Sequence, residues 1–284
     1  MNGKQRYITY ISWALTIAAY IYIGYKIYTY DDWSSLSAHL DSADAIAYIC
    51  GIVALGLMPV NMLMEAWRWQ YLVGGISIRE AQRQVYFSKI AGQLTPYQLG
   101  EYPARGLLMK QTKWSELLSL GAVGSMTMTL AIAIVGVVPL LIWLIDGVSW
   151  SPNWWVIGIT ILAVVVVTLI LPRLLRRWVD ISYTVLFASL GQSILRYLCW
   201  CVQLALVLRL FSLPITTEWL ILIPTYYLLI TLFPSISIAE VGVRGAASLW
   251  VFGTMEATLA GVLLWAINSL LPMLIGTFVK KNAK

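Results

Sequence analysis

Two short stretches of the chain combine charged side chains with residues that break helices. The first, LTPYQLGEYPARGLLMK at residues 94–110, contains Glu101 and Arg105. Its helix breakers are Pro96, Gly100 and Pro103. The guanidinium of Arg105 offers paired donors to a phosphate or a carboxylate, and Glu101 can hold it in place or receive an ammonium group. This pattern predicts a polar binding site, with a surface ion pair on a cytosolic loop as the alternative.

A second stretch, LFPSISIAEVGVRG at residues 232–245, has the same ingredients. Glu240 and Arg244 follow its proline at nearly the same distances as in the first stretch. Proline and glycine interrupt the hydrogen-bond ladder of a helix. Interrupted backbone at membrane depth is tolerated where it is buried in protein or lines a wet cavity. We therefore expect two broken or re-entrant helical segments, at about 94–110 and 232–253, that converge on a headgroup.

The composition predicts an integral membrane protein. Of the 284 residues, 60% are hydrophobic and 11% are charged, whereas a soluble domain has about 25% charged residues. Several apolar runs exceed the roughly 20 residues that cross a bilayer as a helix. The expected fold is all-α, a polytopic integral membrane helix bundle that forms one transmembrane domain over residues 1–284. The net charge of +6 fits membrane orientation and contact with anionic lipids, and we expect no nucleic-acid partner.

The sequence predicts no metal site, no cofactor and no catalytic residue set. It contains one histidine, His39, in an acidic loop that we interpret as solvated. Of the three cysteines, Cys199 and Cys201 lie two residues apart on a predicted helix and point to different faces. Packing is therefore the expected role of the cysteines.

The apolar runs predict seven to eight crossings. They lie at about 7–29, 44–64, 116–145, 154–172, 182–211, 217–233 and 255–279, with a short one at 238–253. With eight crossings, the basic clusters at both termini, at 68–113 and at 173–177 can all face one side. We therefore expect cytosolic N- and C-termini in a protein of the plasma (inner) membrane. The segment at 75–93 is basic and has apolar residues at helical spacing, which predicts a helix on the membrane surface.

Two predicted crossings contain polar residues. Asn61, Glu65 and Arg68 share one helix face, although an interfacial ion pair with a tryptophan anchor is the alternative interpretation. Arg196 lies deep in an apolar run, so we expect it to face the bundle interior and meet an acid, with snorkelling to the interface as the alternative. The candidate partners of Arg196 are Glu65, Glu101 and Glu240.

These motifs resemble the lysylphosphatidylglycerol synthase transmembrane/flippase family. The matching pieces are EAWRWQYL at 65–72, Pro96 with Gly100, Glu101 and Arg105, and Pro234 with Glu240, Gly242 and Arg244. Gly245 stands where the family commonly has a second glutamate. The resemblance implies a polytopic bundle with re-entrant helices and a lipid-facing cavity. Larger members carry an aminoacyl-transferase domain after the membrane part; this sequence shows none, so we expect no synthesis of aminoacyl lipid.

The leading functional hypothesis is a translocase (flippase) for a membrane lipid or a lipid-linked precursor. Its partner would be an anionic or zwitterionic phospholipid or a polyprenyl-phosphate-linked lipid. The candidate substrate-binding residues are Glu65, Arg68, Pro96, Gly100, Glu101, Arg105, Arg196, Pro234, Glu240 and Arg244. Two alternatives stay open: a membrane transferase that acts on a lipid carrier, and an accessory subunit that docks a partner enzyme through the 75–93 helix.

Overall fold

The computed structural model describes residues 44–93, 95, 98, 100–109, 114–146, 182–233 and 237–279, together with the single positions 21, 25 and 28. Every regular element in these residues is helical, which confirms the all-α prediction. The predicted crossings at 7–29 and 154–172 lie wholly or largely outside the described residues, and so do Pro96 and Pro234.

The described helices are numbered in chain order. They are α1 (Ala45–Val73), α2 (Ile78–Gln93), α3 (Glu101–Gly106), α4 (Trp114–Asp146), α5 (Tyr183–Leu210), α6 (Trp219–Leu232), α7 (Ser237–Phe252), α8 (Met255–Trp265) and α9 (Leu271–Thr277). A π-helical turn, Ala266–Leu270, joins α8 to α9, so these elements form one continuous rod.

Local sequence signals set the ends of several helices. The side chain of Asp44 caps α1 by accepting a hydrogen bond from the backbone N–H of Ala47 at 2.8 Å. At the other end, Gly74 has a φ of 68°, a left-handed conformation that glycine adopts without a steric penalty. Ser182 and Thr254 cap α5 and α8 in the same way as Asp44 caps α1.

Helices α2, α4 and α5 and the π-helical turn pack against α1. The pair α1 and α5 is the most extensive, and α4 packs against α5, α6 and α1. Helix α2 lies against α1 and α9, while the short α3 bridges α2 to α4. The core between them is apolar and aromatic, with Trp69, Tyr197 and Tyr226 fully buried. This arrangement brings residues from four separate chain segments to one face of α1.

Helix α1 has an apolar outer face and a polar inner face. Ile49 and Leu63 are among its exposed apolar side chains, whereas Asn61, Glu65 and Arg68 are buried. A water-soluble protein has the opposite arrangement, because charged side chains are almost never fully buried there unless they are paired. The pattern is typical of a helix that contacts lipid outside and encloses a polar site inside.

Four helical segments are long and apolar enough to cross a membrane, which indicates a membrane protein. They are Ala45–Val73, Leu117–Trp143, Tyr183–Leu210 and Met255–Thr277. They coincide with four of the predicted crossings, although α1 continues nine residues further than predicted, to Val73 rather than residue 64. Helix α6, Trp219–Leu232, is apolar but shorter.

The first stretch interrupts the helix as its sequence predicts. Helix α2 ends at Gln93 and α3 begins at Glu101, and Gln98 between them has a left-handed φ of 56°. Pro103, however, lies in the first turn of α3, so the prediction that it breaks the helix is wrong. A proline is tolerated there because the first-turn N–H groups have no intrahelical acceptor. In the second stretch α6 ends at Leu232 and α7 follows as one unbroken helix.

Candidate functional site

Glu65 is the centre of a buried network of charged side chains. Its Oε2 accepts hydrogen bonds from Arg68 Nη2 at 2.5 Å and from Arg196 Nη1 at 2.6 Å. Its Oε1 accepts from Arg105 Nη2 at 2.7 Å. Three guanidinium groups from three helices therefore share one carboxylate. The prediction that Arg196 meets an acid inside the bundle is confirmed, and the snorkelling alternative is wrong.

Arg105 connects Glu65 to a second carboxylate. Its Nη2 also donates to Glu101 Oε2 at 3.0 Å, and its Nε donates to the hydroxyl of Ser88 at 3.3 Å. The guanidinium carbon lies 4.8 Å from the ring centre of Trp69 and 4.9 Å from that of Tyr102, within the range of cation–π attraction. Because Arg105 is 0% exposed, the alternative of a surface ion pair is wrong.

Lys89 neutralises part of the charge of Glu101. Its Nζ lies 2.5 Å from Glu101 Oε1, and both residues are buried. The two helices approach closely at Gly92, where an added Cβ would lie 2.5 Å from the Glu101 side chain. The predicted basic surface helix at 75–93 corresponds to α2. Its Arg79 is exposed as expected, but its Lys89 points into the bundle.

Two glycines on α4 allow the charged residues to pack closely. At Gly121 an added Cβ would lie 2.3 Å from the ring of Tyr102, so only glycine fits there without displacement of that ring. The carbonyl of Gly124 accepts from Arg68 Nη1 at 2.8 Å, and the same nitrogen donates to Ser193 at 2.9 Å. The small residues Gly121 and Gly124 therefore allow close helix packing. The backbone of Gly124 additionally serves as an arginine acceptor.

A chain of amide side chains continues from Arg196 along α1. Arg196 Nε donates to Asn61 Oδ1 at 2.7 Å, and Asn61 Nδ2 donates to Asn268 Oδ1 at 3.2 Å. Asn268 Nδ2 then donates to Gln203 Oε1 at 2.7 Å, and Gln203 Nε2 to the carbonyl of Ala54 at 2.7 Å. Asn268 lies in the π-helical turn, a distortion that is frequent at functional sites.

A cavity of about 270 Å³ opens among these helices. This volume is slightly below the roughly 300–1,000 Å³ of typical ligand pockets, so it suits a headgroup rather than a whole lipid. The charged residues that line it are Glu65, Arg68, Lys89, Glu101, Arg196 and Arg244. Its other lining residues are Asn61, Gln98, Tyr102, Ser125, Met128, Thr129, Trp200, Tyr227, Leu264, Asn268 and Ser269.

Among the described residues, the charges around Glu65 do not balance. The ion-paired network joins the four cations Arg68, Lys89, Arg105 and Arg196 to the two carboxylates Glu65 and Glu101. It therefore carries an excess of two positive charges. Glu240 and Arg244 form a separate, internally neutral pair, with Arg244 Nη2 at 2.6 Å from Glu240 Oε1. A buried excess of positive charge is unfavourable unless an anion compensates it.

The two stretches singled out in the sequence do reach the same cavity, through Glu101 and Arg244. Glu240 is not among the lining residues and instead holds Arg244. Arg105 does not line the cavity, although its Nη1 is buried without a hydrogen-bond partner among the described residues. Gly100 allows a close backbone approach, since an added Cβ would lie 2.6 Å from the carbonyl oxygen of Ala91.

The interfacial alternative for α1 is also wrong. Trp67 is exposed, but Trp69 is fully buried and donates its indole N–H to Gln84 at 2.7 Å.

Sequence reasoning missed Lys89 and Asn268 as site residues. Lys89 has no local signal, because its segment has the periodicity of a surface helix.

The described residues contain no group of three histidine, cysteine, aspartate or glutamate side chains arranged to hold a metal ion. The chain matches no protein-family model, no curated protein and no solved structure. The buried charge network and the cavity beside it are therefore the basis for inferring a function.

Proposed function

We propose that the protein is a membrane lipid translocase that moves the headgroup of a phospholipid or a lipid-linked precursor through the charged cavity. The observation that carries this proposal is the buried network around Glu65, with four cations and two carboxylates beside a headgroup-sized cavity. Ionisable residues within membrane helices are costly, at least about 2.5 kcal/mol each on insertion scales, and usually mark a substrate or ion pathway.

The amide chain supports movement as well as binding. The polar contacts run along α1 from Arg68 to the carbonyl of Ala54, fourteen positions apart. At 1.5 Å per residue this is about 21 Å, or some two-thirds of a hydrocarbon core of about 30 Å. Asn61 and Asn268 line the cavity, so a headgroup would exchange hydrogen bonds with this part of the chain while its acyl chains stay in lipid. Gln203 and Ala54 are fully buried and do not line the cavity.

The proposal also includes the membrane topology and the location of the protein. We expect seven to eight crossings, re-entrant segments at the two interrupted stretches, cytosolic termini and a plasma-membrane location. The helix interruption between α2 and α3 supports the first re-entrant segment, and the shared cavity of Glu101 and Arg244 supports the convergence of the two stretches. It also agrees with the resemblance to the lysylphosphatidylglycerol synthase transmembrane/flippase family.

The proposal is tested by reconstitution. Purified protein is placed in liposomes with fluorescent phosphatidylglycerol, phosphatidylethanolamine or a polyprenyl-phosphate analogue, and a membrane-impermeant quencher reports the leaflet that each probe occupies. We expect the wild-type protein to move at least one probe. Glu101→Gln should reduce that movement at least about tenfold, because Lys89 and Arg105 lose a shared counter-charge.

Glu80→Gln is the matched control. It makes the same chemical change in α2, in a partly exposed pair with Arg83 that lies outside the cavity. Full movement in Glu80→Gln together with loss in folded Glu101→Gln supports the proposal. Absence of movement of every probe by the folded wild-type protein would contradict it and favour the transferase or accessory hypotheses.

A further inference from the structure

We infer that the headgroup recognised in the cavity is a terminal phosphate, a phosphomonoester carried on a lipid. This inference rests on the proposed lipid-binding function and names its substrate class. It starts from the excess of two positive charges in the network of Arg68, Lys89, Arg105 and Arg196 with Glu65 and Glu101. All six residues are at most 7% exposed, so bulk water contributes little to compensating that excess.

Among the cavity-lining cations of the network, Lys89 and Arg196 keep donors for a ligand, whereas the unpartnered Nη1 of Arg105 belongs to a residue outside the lining. A lysine ammonium has three N–H donors, and within the described residues only one of those of Lys89 is engaged, by Glu101. Arg196 donates through Nε and Nη1 to Asn61 and Glu65, which leaves its Nη2 without an acceptor in the described part of the chain. Both residues line the cavity.

The other two arginines of the network donate mainly to protein groups. Arg105 is absent from the lining and donates to Glu65 and Glu101. Arg68 is at the wall, but its Nη1 and Nη2 are engaged by Gly124, Ser193 and Glu65. The folded protein therefore carries the excess positive charge in its interior. The ammonium of Lys89 and the guanidinium of Arg196 present that charge to a ligand.

Headgroup charge separates the lipid classes. A phosphomonoester carries about −1.5 to −2 charges at neutral pH, because its second pKa is near 6, and it has three acceptor oxygens. A phosphodiester such as phosphatidylglycerol carries one negative charge, phosphatidylethanolamine is neutral overall, and an aminoacylated phosphatidylglycerol carries an added ammonium group. Only the phosphomonoester approaches full compensation of two positive charges.

Two lipids share this chemistry, a polyprenyl phosphate and phosphatidic acid. They differ in the apolar part, which stays in the bilayer outside a cavity of about 270 Å³. The cavity therefore recognises the phosphate that both lipids share. A competition experiment decides which of the two lipids carries it.

The test is a competition measurement on the full-length protein in nanodiscs of neutral lipid. Short-chain fluorescent phosphatidic acid is the bound probe, and unlabelled polyprenyl phosphate, phosphatidic acid, phosphatidylglycerol and phosphatidylethanolamine compete for it. Both phosphomonoesters should compete about tenfold better than phosphatidylglycerol, owing to the additional negative charge close to the cations. A clear preference for one phosphomonoester then identifies the lipid carrier.

Variants test whether the cavity sets this preference. Lys89→Gln and Arg196→Gln each remove one positive charge, so the ratio between phosphomonoester and phosphodiester binding should fall toward one in whichever of them folds. Arg209→Gln is the matched control, because it removes a charge from an exposed pair with Asp44 and should leave the ratio unchanged.

The outcomes separate this inference from the proposed function. Equal competition by phosphatidylglycerol, or an unchanged ratio in folded Lys89→Gln and Arg196→Gln, would overturn the phosphomonoester inference even if lipid movement is observed. Selective phosphomonoester binding without movement in the liposome assay would support the inference while contradicting the translocase proposal. Absence of lipid binding in every arm would overturn both.

Discussion

Replacement of Glu65 by glutamine tests the charge network most severely. The substitution keeps the shape of the side chain but removes the negative charge that Arg68, Arg105 and Arg196 share. The excess of positive charge would rise from two to three in a site where Glu65 is 2% exposed. Loss of one partner of a buried ion pair costs about 3–5 kcal/mol. We therefore expect the apparent Tm of Glu65→Gln, measured in detergent, to fall by on the order of 10 °C.

Two comparisons make this measurement specific. Glu80→Gln changes a pair whose side chains are 24% and 32% exposed, so it should cost less than about 1 kcal/mol. The double variant Glu65→Gln with Arg196→Gln returns the excess charge to two and should be more stable than Glu65→Gln alone. An apparent Tm for Glu65→Gln within about 2 °C of wild type, or a double variant less stable than both single ones, would refute the reasoning.

Two further predictions concern glycines. Gly121→Ala should lower the apparent Tm by several degrees, because its Cβ would lie 2.3 Å from the ring of Tyr102. Gly191→Ala is the control and should be neutral or stabilising, since no heavy atom lies within 4 Å of its added Cβ. Equal effects of the two variants on the apparent Tm would argue against the close packing. Gly92→Ala should displace the carboxylate of Glu101, because the added Cβ would lie 2.5 Å from that side chain. The displacement should slow lipid movement at least about threefold. An unchanged rate in the liposome assay would show that the position of Glu101 does not matter.

The sequence predicts the components of the site better than their pairing. Local spacing correctly places Asn61, Glu65 and Arg68 on one face of a helix, because helical periodicity depends only on neighbouring residues. The expectation that an arginine deep in a membrane helix meets an acid also holds, because an unpaired charge there is so costly. The choice of Glu65 as the partner of Arg196 depends on contacts between positions 131 residues apart.

Other features have no local signal. Arg105 has a glutamate four residues earlier, which suggests a simple pair, yet its shortest contact with a carboxylate is to Glu65, forty residues away. Lys89 belongs to a segment with the periodicity of a surface helix, and only the return of the chain after the interruption buries it against Glu101. The π-helical turn that carries Asn268 does have a local signal, because Pro272 just after it has no N–H to donate to the carbonyl of Asn268.

The measurement that tests the central claim most directly is lipid movement by wild-type protein and by Lys89→Gln in the same liposomes, with a phosphomonoester probe. Lys89 lines the cavity, and its replacement leaves Glu65 and its three arginines in place. The account predicts clear movement by wild type and at least about a tenfold reduction in folded Lys89→Gln, with Arg209→Gln unaffected. Equal rates in all three proteins would contradict the claim that the headgroup passes through this cavity.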